Sequence, residues 1–126
     1  MNTYIQIGTT VVIFALISYS IGIISEQRSH ILSKRVIGFV SLGVILDITA
    51  TIFMIVGSSK SGFTLHGFIG YSSLLGMLLD ASFMWMRIAK YGMDKEVSRF
   101  LHLYSRYAYI WWVLAFITGG LLVAFS

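Results

Sequence analysis

The sequence predicts an all-α integral membrane protein, an antiparallel four-helix transmembrane bundle, and three observations support this. Of its 126 residues, 57% are hydrophobic and 11% are charged, whereas soluble domains carry about 25% charged residues. The apolar residues form four stretches of about 20 residues each, which is the length that a helix needs to cross a bilayer. Proline and cysteine are both absent, which excludes proline-kinked helices, disulfides and thiolate metal ligands.

The four apolar stretches and their short linkers form a single transmembrane domain that covers residues 1–126. We place the spans at about 4–25, 36–56, 65–88 and 100–124. Small residues recur four positions apart within them, as Ser18/Gly22, Ser72/Gly76 and Ala115/Gly119. Such pairs let helix backbones approach closely in lipid. They predict packing within the bundle, with a homo-oligomer interface as the alternative.

The lysines and arginines predict the orientation of the chain. The second linker contains only Lys60, and neither terminus contains a basic residue. The other two linkers are basic, with Arg28, Lys34 and Arg35 in the first and Arg87, Lys90, Lys95 and Arg99 in the third. Cytoplasmic loops carry an excess of Lys and Arg. We therefore expect both basic linkers to face the cytoplasm and both termini to lie outside a bacterial inner membrane. The net charge of +4 then serves orientation, and nucleic acid is not an expected partner.

Ionisable residues inside the spans are the candidate functional residues, because a charge at bilayer depth is costly. In the third span, His66 and Asp80 are fourteen residues apart, which places them on one helix face about 21 Å from each other. His66 lies at the outer end. Antiparallel packing brings four residues to similar depths in the inner half, namely Asp47, Asp80, His102 and Arg106. We expect Arg106 to neutralise one of the two aspartates.

These residues allow a structural and a functional interpretation. The charged cluster can simply hold the bundle together, and a lone histidine is more often structural than a metal ligand. Alternatively, buried histidines in a four-helix bundle are a usual way to hold haem iron. His30, in a basic linker, is expected to be solvated. The sequence contains no HExxH, no G-x-S-x-G and no glycine-rich phosphate loop, so binding is more consistent with it than catalysis.

Four motifs in order along the chain are similar to those of one family. They are YSIGIISE at 19–26, LDITAT at 46–51, LHGFIG at 65–70 and LHLYSRYAYIWW at 101–112. In these segments the chain resembles the HsmA-like family of small four-span bacterial membrane proteins, which is associated with haem binding and sequestration. The resemblance covers most of the chain.

The resemblance implies a b-type haem as cofactor and carries over residues by position. His66 and His102 are the implied axial or metal ligands, and Asp47 is a motif residue of unknown role. The family usually has a histidine where this chain has Asp80, and a proline where it has Ala115. If that histidine is a ligand, the replacement candidates here are Asp80 itself, His30, Met77 and Met84.

Two functional hypotheses therefore follow from the sequence. The first is a non-catalytic membrane protein that sequesters haem or carries electrons, with the lipid bilayer and haem as its partners. The second is a proton- or ion-coupled small carrier, or a membrane subunit of a larger complex, that uses buried Asp47, Asp80 and Arg106.

Overall fold

Four long helices make up nearly all of the computed structural model, which describes residues 3–57 and 65–124. They are α1 Thr3–Ser29, α2 Lys34–Gly57, α3 Leu65–Tyr91 and α4 Arg99–Ala124. The side chains at positions 5, 57, 65–67 and 120–124 lie outside the described part. The prediction of an all-helical chain with four helices is confirmed, and each helix starts or ends a few residues beyond its apolar stretch.

Three of the described helices are long and apolar enough to cross a membrane. The qualifying segments are Gln6–Ser29, Lys34–Val56 and Phe68–Tyr91. The fourth predicted span coincides with α4 and remains a prediction from the sequence. The chain therefore has the composition of a membrane protein in α1, α2 and α3.

The helices pack as neighbours in chain order. α1 packs most extensively against α2, and α3 packs most extensively against α4, while smaller contacts join α2 to α3 and α1 to α4. All four helices contribute to the core, whose buried side chains include Tyr19, Val40, Met77, Met84, Leu101 and Trp112. The interior between the helices is thus closed by side chains from every element.

The outer surface of the helices is rich in large apolar side chains. Phe14 is 57% exposed, Ile45 is 61% exposed and Phe68 is 72% exposed. Soluble monomers rarely expose large apolar surfaces. The polar groups described below lie inside, so the distribution suits a lipid environment.

Small residues allow α1 and α2 to approach each other closely. Ser18 Oγ donates a hydrogen bond of 2.6 Å to the Phe39 carbonyl oxygen. A Cβ atom added to Gly22 would lie 2.8 Å from Val40 Cγ2 and 3.2 Å from the Val36 carbonyl oxygen. The predicted packing role of the Ser18/Gly22 pair is therefore confirmed within the chain.

A short antiparallel ribbon joins the first and third linkers. Its strands are β1 Ile31–Leu32 and β2 Lys95–Glu96, and Arg87 Nε adds a 2.8 Å hydrogen bond to the Glu96 carbonyl oxygen. The two basic linkers thus lie at one end of the molecule, as the orientation prediction requires. The strands themselves were not predicted, because two residues are too few to show an alternating pattern.

Candidate functional site

Three buried carboxylates, one from each of the first three helices, face α4. Glu26 of α1 and Asp80 of α3 are both 0% exposed, and Asp47 of α2 is 5% exposed. Each carboxylate contacts a different side chain of α4. His102 pairs with Glu26, Ser105 donates a hydrogen bond to Asp80, and Trp112 donates one to Asp47. We call Glu26, Asp80 and Asp47 the carboxylate file.

Asp47 is held by two aromatic donors. Trp112 Nε1 donates to Asp47 Oδ2 at 2.8 Å, and the Tyr19 hydroxyl donates to the same oxygen at 3.1 Å. The two rings contact each other edge to face, with centroids 5.0 Å apart. Tyr19 fits because Gly43 of α2 lies against its ring, where a side chain would overlap it. Asp47 is therefore a fully packed polar group at the centre of the core.

Asp80 is only partly satisfied. The Ser105 hydroxyl donates a short hydrogen bond to Asp80 Oδ1, and both residues are 0% exposed. Asp80 Oδ2 is buried and has no hydrogen-bond partner among the described residues. Leaving a buried acceptor unpaired costs about 1–3 kcal/mol, and more when the group is charged. This oxygen is therefore available to a proton or another small ligand.

Glu26 and His102 form a buried pair near the ribbon end of the bundle. His102 Nδ1 lies 3.2 Å from Glu26 Oε1. Gln27 supports both partners, since its Nε2 donates to Glu26 Oε2 at 2.7 Å and to the His102 carbonyl oxygen at 3.0 Å. Arg106 Nη2 lies 3.3 Å from Nε2 and can only donate, so Nε2 is the acceptor nitrogen and Nδ1 carries the proton that faces Glu26.

His30 contacts His102 as well. The two rings stack with centroids 4.1 Å apart and an interplanar angle of 18°. His30 directly follows the last residue of α1 and adopts the left-handed region, with φ of 59°. Its amide donates to the Glu26 carbonyl oxygen at 2.7 Å, and its own carbonyl accepts from Val97 N at 2.9 Å. The ring is exposed, but the expectation of a merely solvated His30 is wrong, because the backbone turn folds it onto His102.

Arg106 does not neutralise an aspartate. Its Nε donates to Gln27 Oε1 at 2.9 Å, its Nη2 lies 3.3 Å from His102 Nε2, and the side chain is exposed. Within the described residues, the one carboxylate ion pair is that of His102 with Glu26. The prediction was wrong because Asp47 and Asp80 take uncharged donors from inside the core, while Arg106 reaches towards α1.

The predicted convergence of the four inner residues is also wrong in detail. Along α4, Trp112 and Ser105 are about 10.5 Å apart, and Ser105 and His102 are about 4.5 Å apart. Asp47, Asp80 and Glu26 therefore follow one another along the bundle at these three levels. His66 is the second residue of α3, but its side chain lies outside the described residues.

The sequence interpretation missed Glu26 as a buried partner of His102. The residue stands at the end of the first apolar stretch, directly before a basic linker, and so resembles a surface charge. The spacing nevertheless indicates that Glu26 shares a helix face with apolar residues, because Tyr19, Ile23 and Glu26 are four and three residues apart. That face is the buried one, with Tyr19 at 0% and Ile23 at 1% exposure.

The metal-binding capacity of the described residues is limited. They contain no group of three or more His, Cys, Asp or Glu side chains placed to hold a metal ion. Met77 and Met84 are both 0% exposed within the hydrophobic core. The arrangement offers one oriented imidazole nitrogen, His102 Nε2, and one unpaired carboxylate oxygen, Asp80 Oδ2.

Comparison with protein-family models, curated proteins and solved structures finds no match for this chain.

Proposed function

We propose that this chain is an antiparallel four-helix bundle of a bacterial inner membrane, related to the HsmA-like family, that binds haem through His102. The apolar outer faces of the helices support insertion into lipid. The common location of both basic linkers supports an orientation with that end in the cytoplasm. Haem is a suitable ligand because its porphyrin is apolar and its iron accepts imidazole nitrogen.

The Glu26–His102 pair is the observation that carries this proposal. A carboxylate on one imidazole nitrogen fixes the ring orientation and increases the basicity of the other nitrogen as a metal ligand. Glu26 is fully buried and lies 3.2 Å from Nδ1, so Nε2 is the nitrogen left for iron. Arg106, now beside Nε2, is an exposed cation that suits a haem propionate. Bound haem would supply redox-active iron to the bundle.

Haem binding through a single protein ligand would favour sequestration of haem over electron transfer. His30 and His102 stack face to face at 4.1 Å, and parallel stacked rings cannot ligate one iron from opposite sides. His66 is the second residue of α3, and the helix rise places it about 21 Å along the axis from Asp80. It therefore belongs to the other end of the bundle. With His102 as its one ligand, haem would be held by a single protein side chain, which suits exchange of haem with a partner.

We expect His102→Ala to abolish haem binding. The measurement is the oxidised and dithionite-reduced absorption spectrum of the detergent-purified protein after titration with haem. His102→Ala should lose the Soret and α bands, and Glu26→Gln should weaken haem binding about 10–100-fold because the orienting carboxylate is lost. His30→Ala is the matched control and should keep the bands. Full haem retention by His102→Ala would contradict the proposal.

Membrane orientation is open to a separate test, because the native chain has no cysteine. Lys60→Cys and Lys95→Cys each introduce a single thiol, in the second and third linkers respectively. A membrane-impermeant maleimide should label Lys60→Cys in intact cells and label Lys95→Cys only after the membrane is opened. The reverse pattern would invert the proposed topology, and equal labelling in intact cells would argue against insertion.

A second candidate function is proton- or ion-coupled transport, or the same role within a larger membrane complex. The unpaired Asp80 Oδ2 favours it, because a buried carboxyl group with one free oxygen can take up and release a proton. Asp47 and Glu26 lie at the levels on either side of Asp80. The relay would therefore use the three residues of the carboxylate file. Glu26 replaces Arg106, which the sequence-based hypothesis names as the third member.

A further inference from the structure

A surface cavity lies where α1 ends and α2 begins, apart from the carboxylate file. Its volume is about 530 Å³. The lining combines two arginines, three serines, two isoleucines and one aspartate, namely Arg28, Arg35, Ser25, Ser29, Ser33, Ile24, Ile31 and Asp94. The cavity lining is therefore largely polar, with a net positive charge, and includes two apolar side chains.

The two arginines are available to a ligand. Both are exposed, and neither lies within ion-pair distance of a carboxylate in the part of the chain that the structure describes. Ser33 Oγ accepts a hydrogen bond of 3.3 Å from Val36 N, which leaves its own proton free to donate. Guanidinium groups bind phosphate through paired, charge-assisted hydrogen bonds. Together these groups match an anion with several acceptor oxygens, such as a phosphate, better than a neutral ligand.

An apolar stripe leads from the cavity along the outer face of α1. Ile24, Ile21 and Ile17 precede Arg28 at helical spacing and are 47%, 38% and 50% exposed. The stripe from Arg28 to Ile17 is about 16 Å long, which suits an acyl chain lying against the helix. A free phosphate ion would make no use of this surface.

We propose that the cavity binds the headgroup of an anionic phospholipid, with the phosphate held by Arg28 and Arg35 and an acyl chain lying along the isoleucine stripe. Basic pockets at the cytoplasmic ends of transmembrane helices are a recognised setting for anionic headgroups. Asp94 lines the same cavity and can accept hydrogen bonds from the hydroxyls of a polyol headgroup. Two arginines against this one carboxylate leave the lining with a net positive charge, so the site is expected to prefer anionic phosphatidylglycerol over zwitterionic phosphatidylethanolamine. This site does not depend on whether His102 binds haem.

The test is native mass spectrometry of the full chain released from detergent micelles that contain either of these two lipids. The double variant Arg28→Gln/Arg35→Gln should bind phosphatidylglycerol at least about tenfold more weakly, because two charge-assisted contacts are lost. Lys90→Gln/Arg99→Gln is the matched control, since it removes two positive charges from the same end outside the cavity. It should retain the lipid.

Three outcomes would overturn the proposal. Equal losses in the two double variants would show that only net charge matters. Equal retention of the two lipids by the unaltered chain would remove the anionic preference. Displacement of the lipid by inorganic phosphate alone would assign the cavity to a soluble phosphate ligand and leave the isoleucine stripe without a role.

Discussion

Gly43→Val is expected to lower the free energy of unfolding by about 3 kcal/mol, at the upper end of the usual cost of overpacking a core. A side chain at Gly43 would overlap the ring of Tyr19. That ring cannot move away easily, because its hydroxyl is bonded to Asp47 and its edge contacts Trp112. The substitution therefore disturbs α1, α2 and α4 at one point.

Gly38→Val is the matched control for this experiment. Gly38 lies in the same helix, but a Cβ atom there would meet nothing within 4 Å. We expect the free energy of unfolding of Gly38→Val to equal or slightly exceed that of the unaltered chain, since Gly is a poor helix former. The measurement is reversible unfolding of each purified variant in mixed detergent micelles.

A double-mutant cycle identifies the cause of the loss at Gly43. In a Tyr19→Ala background the ring is absent, and Gly43→Val should cost much less than it does in the unaltered chain. An equal cost in both backgrounds would show that Tyr19 is not the clashing group. Similar effects of Gly43→Val and Gly38→Val would contradict the close packing altogether.

The helices could be predicted from the sequence because apolar length alone determines them. The second span, expected at 36–56, is Lys34–Gly57, and the third, expected at 65–88, is Leu65–Tyr91. Helices continue past the apolar stretch because backbone hydrogen bonding does not end where hydrophobicity does. His30 and Asp94 both lie in turns, with φ of 59° and 62°; Gly92, with φ of 93°, marks the second turn, whereas no glycine or proline marks the first.

The pairing of the polar residues could be predicted only in part. His102 and Arg106 are one helical turn apart, a spacing that places them on one face, and Arg106 Nη2 lies 3.3 Å from His102 Nε2. The partners of Asp47 and Asp80 belong to other helices, and their identity depends on rotations that spacing along one helix does not determine. Opposite charge suggested Arg106 as the partner, whereas the core uses the uncharged donors Ser105, Tyr19 and Trp112, which cost less to bury than a guanidinium group.

This choice of donors has a consequence for Asp80. Asp47 receives two hydrogen bonds on one oxygen, and Glu26 pairs with His102 and Gln27. Asp80 has Ser105 alone, and Oδ2 is left unpaired among the described contacts. No cation of the described chain lies beside it. A buried carboxyl group in such surroundings changes its charge most readily by exchanging a proton.

Asp80→Asn is therefore expected to abolish proton movement if the carboxylate file is a relay. Asn has nearly the same shape and still accepts from Ser105, but it cannot carry a proton. The measurement is pH-gradient-driven proton flux into proteoliposomes, and the variant should fall to the level of protein-free vesicles. Asp80→Glu, which keeps the carboxyl group, should restore part of the flux.

Two further readouts separate a relay from a structural role of Asp80. The infrared band of a protonated carboxylic acid should disappear in Asp80→Asn, which reports the proton without any transport assay. Haem titration of the same variant should match that of the unaltered chain, because Asp80 lies one level away from the Glu26–His102 pair. Unchanged proton flux in Asp80→Asn would rule out the relay. Loss of the haem bands in this variant would instead place Asp80 in the haem site.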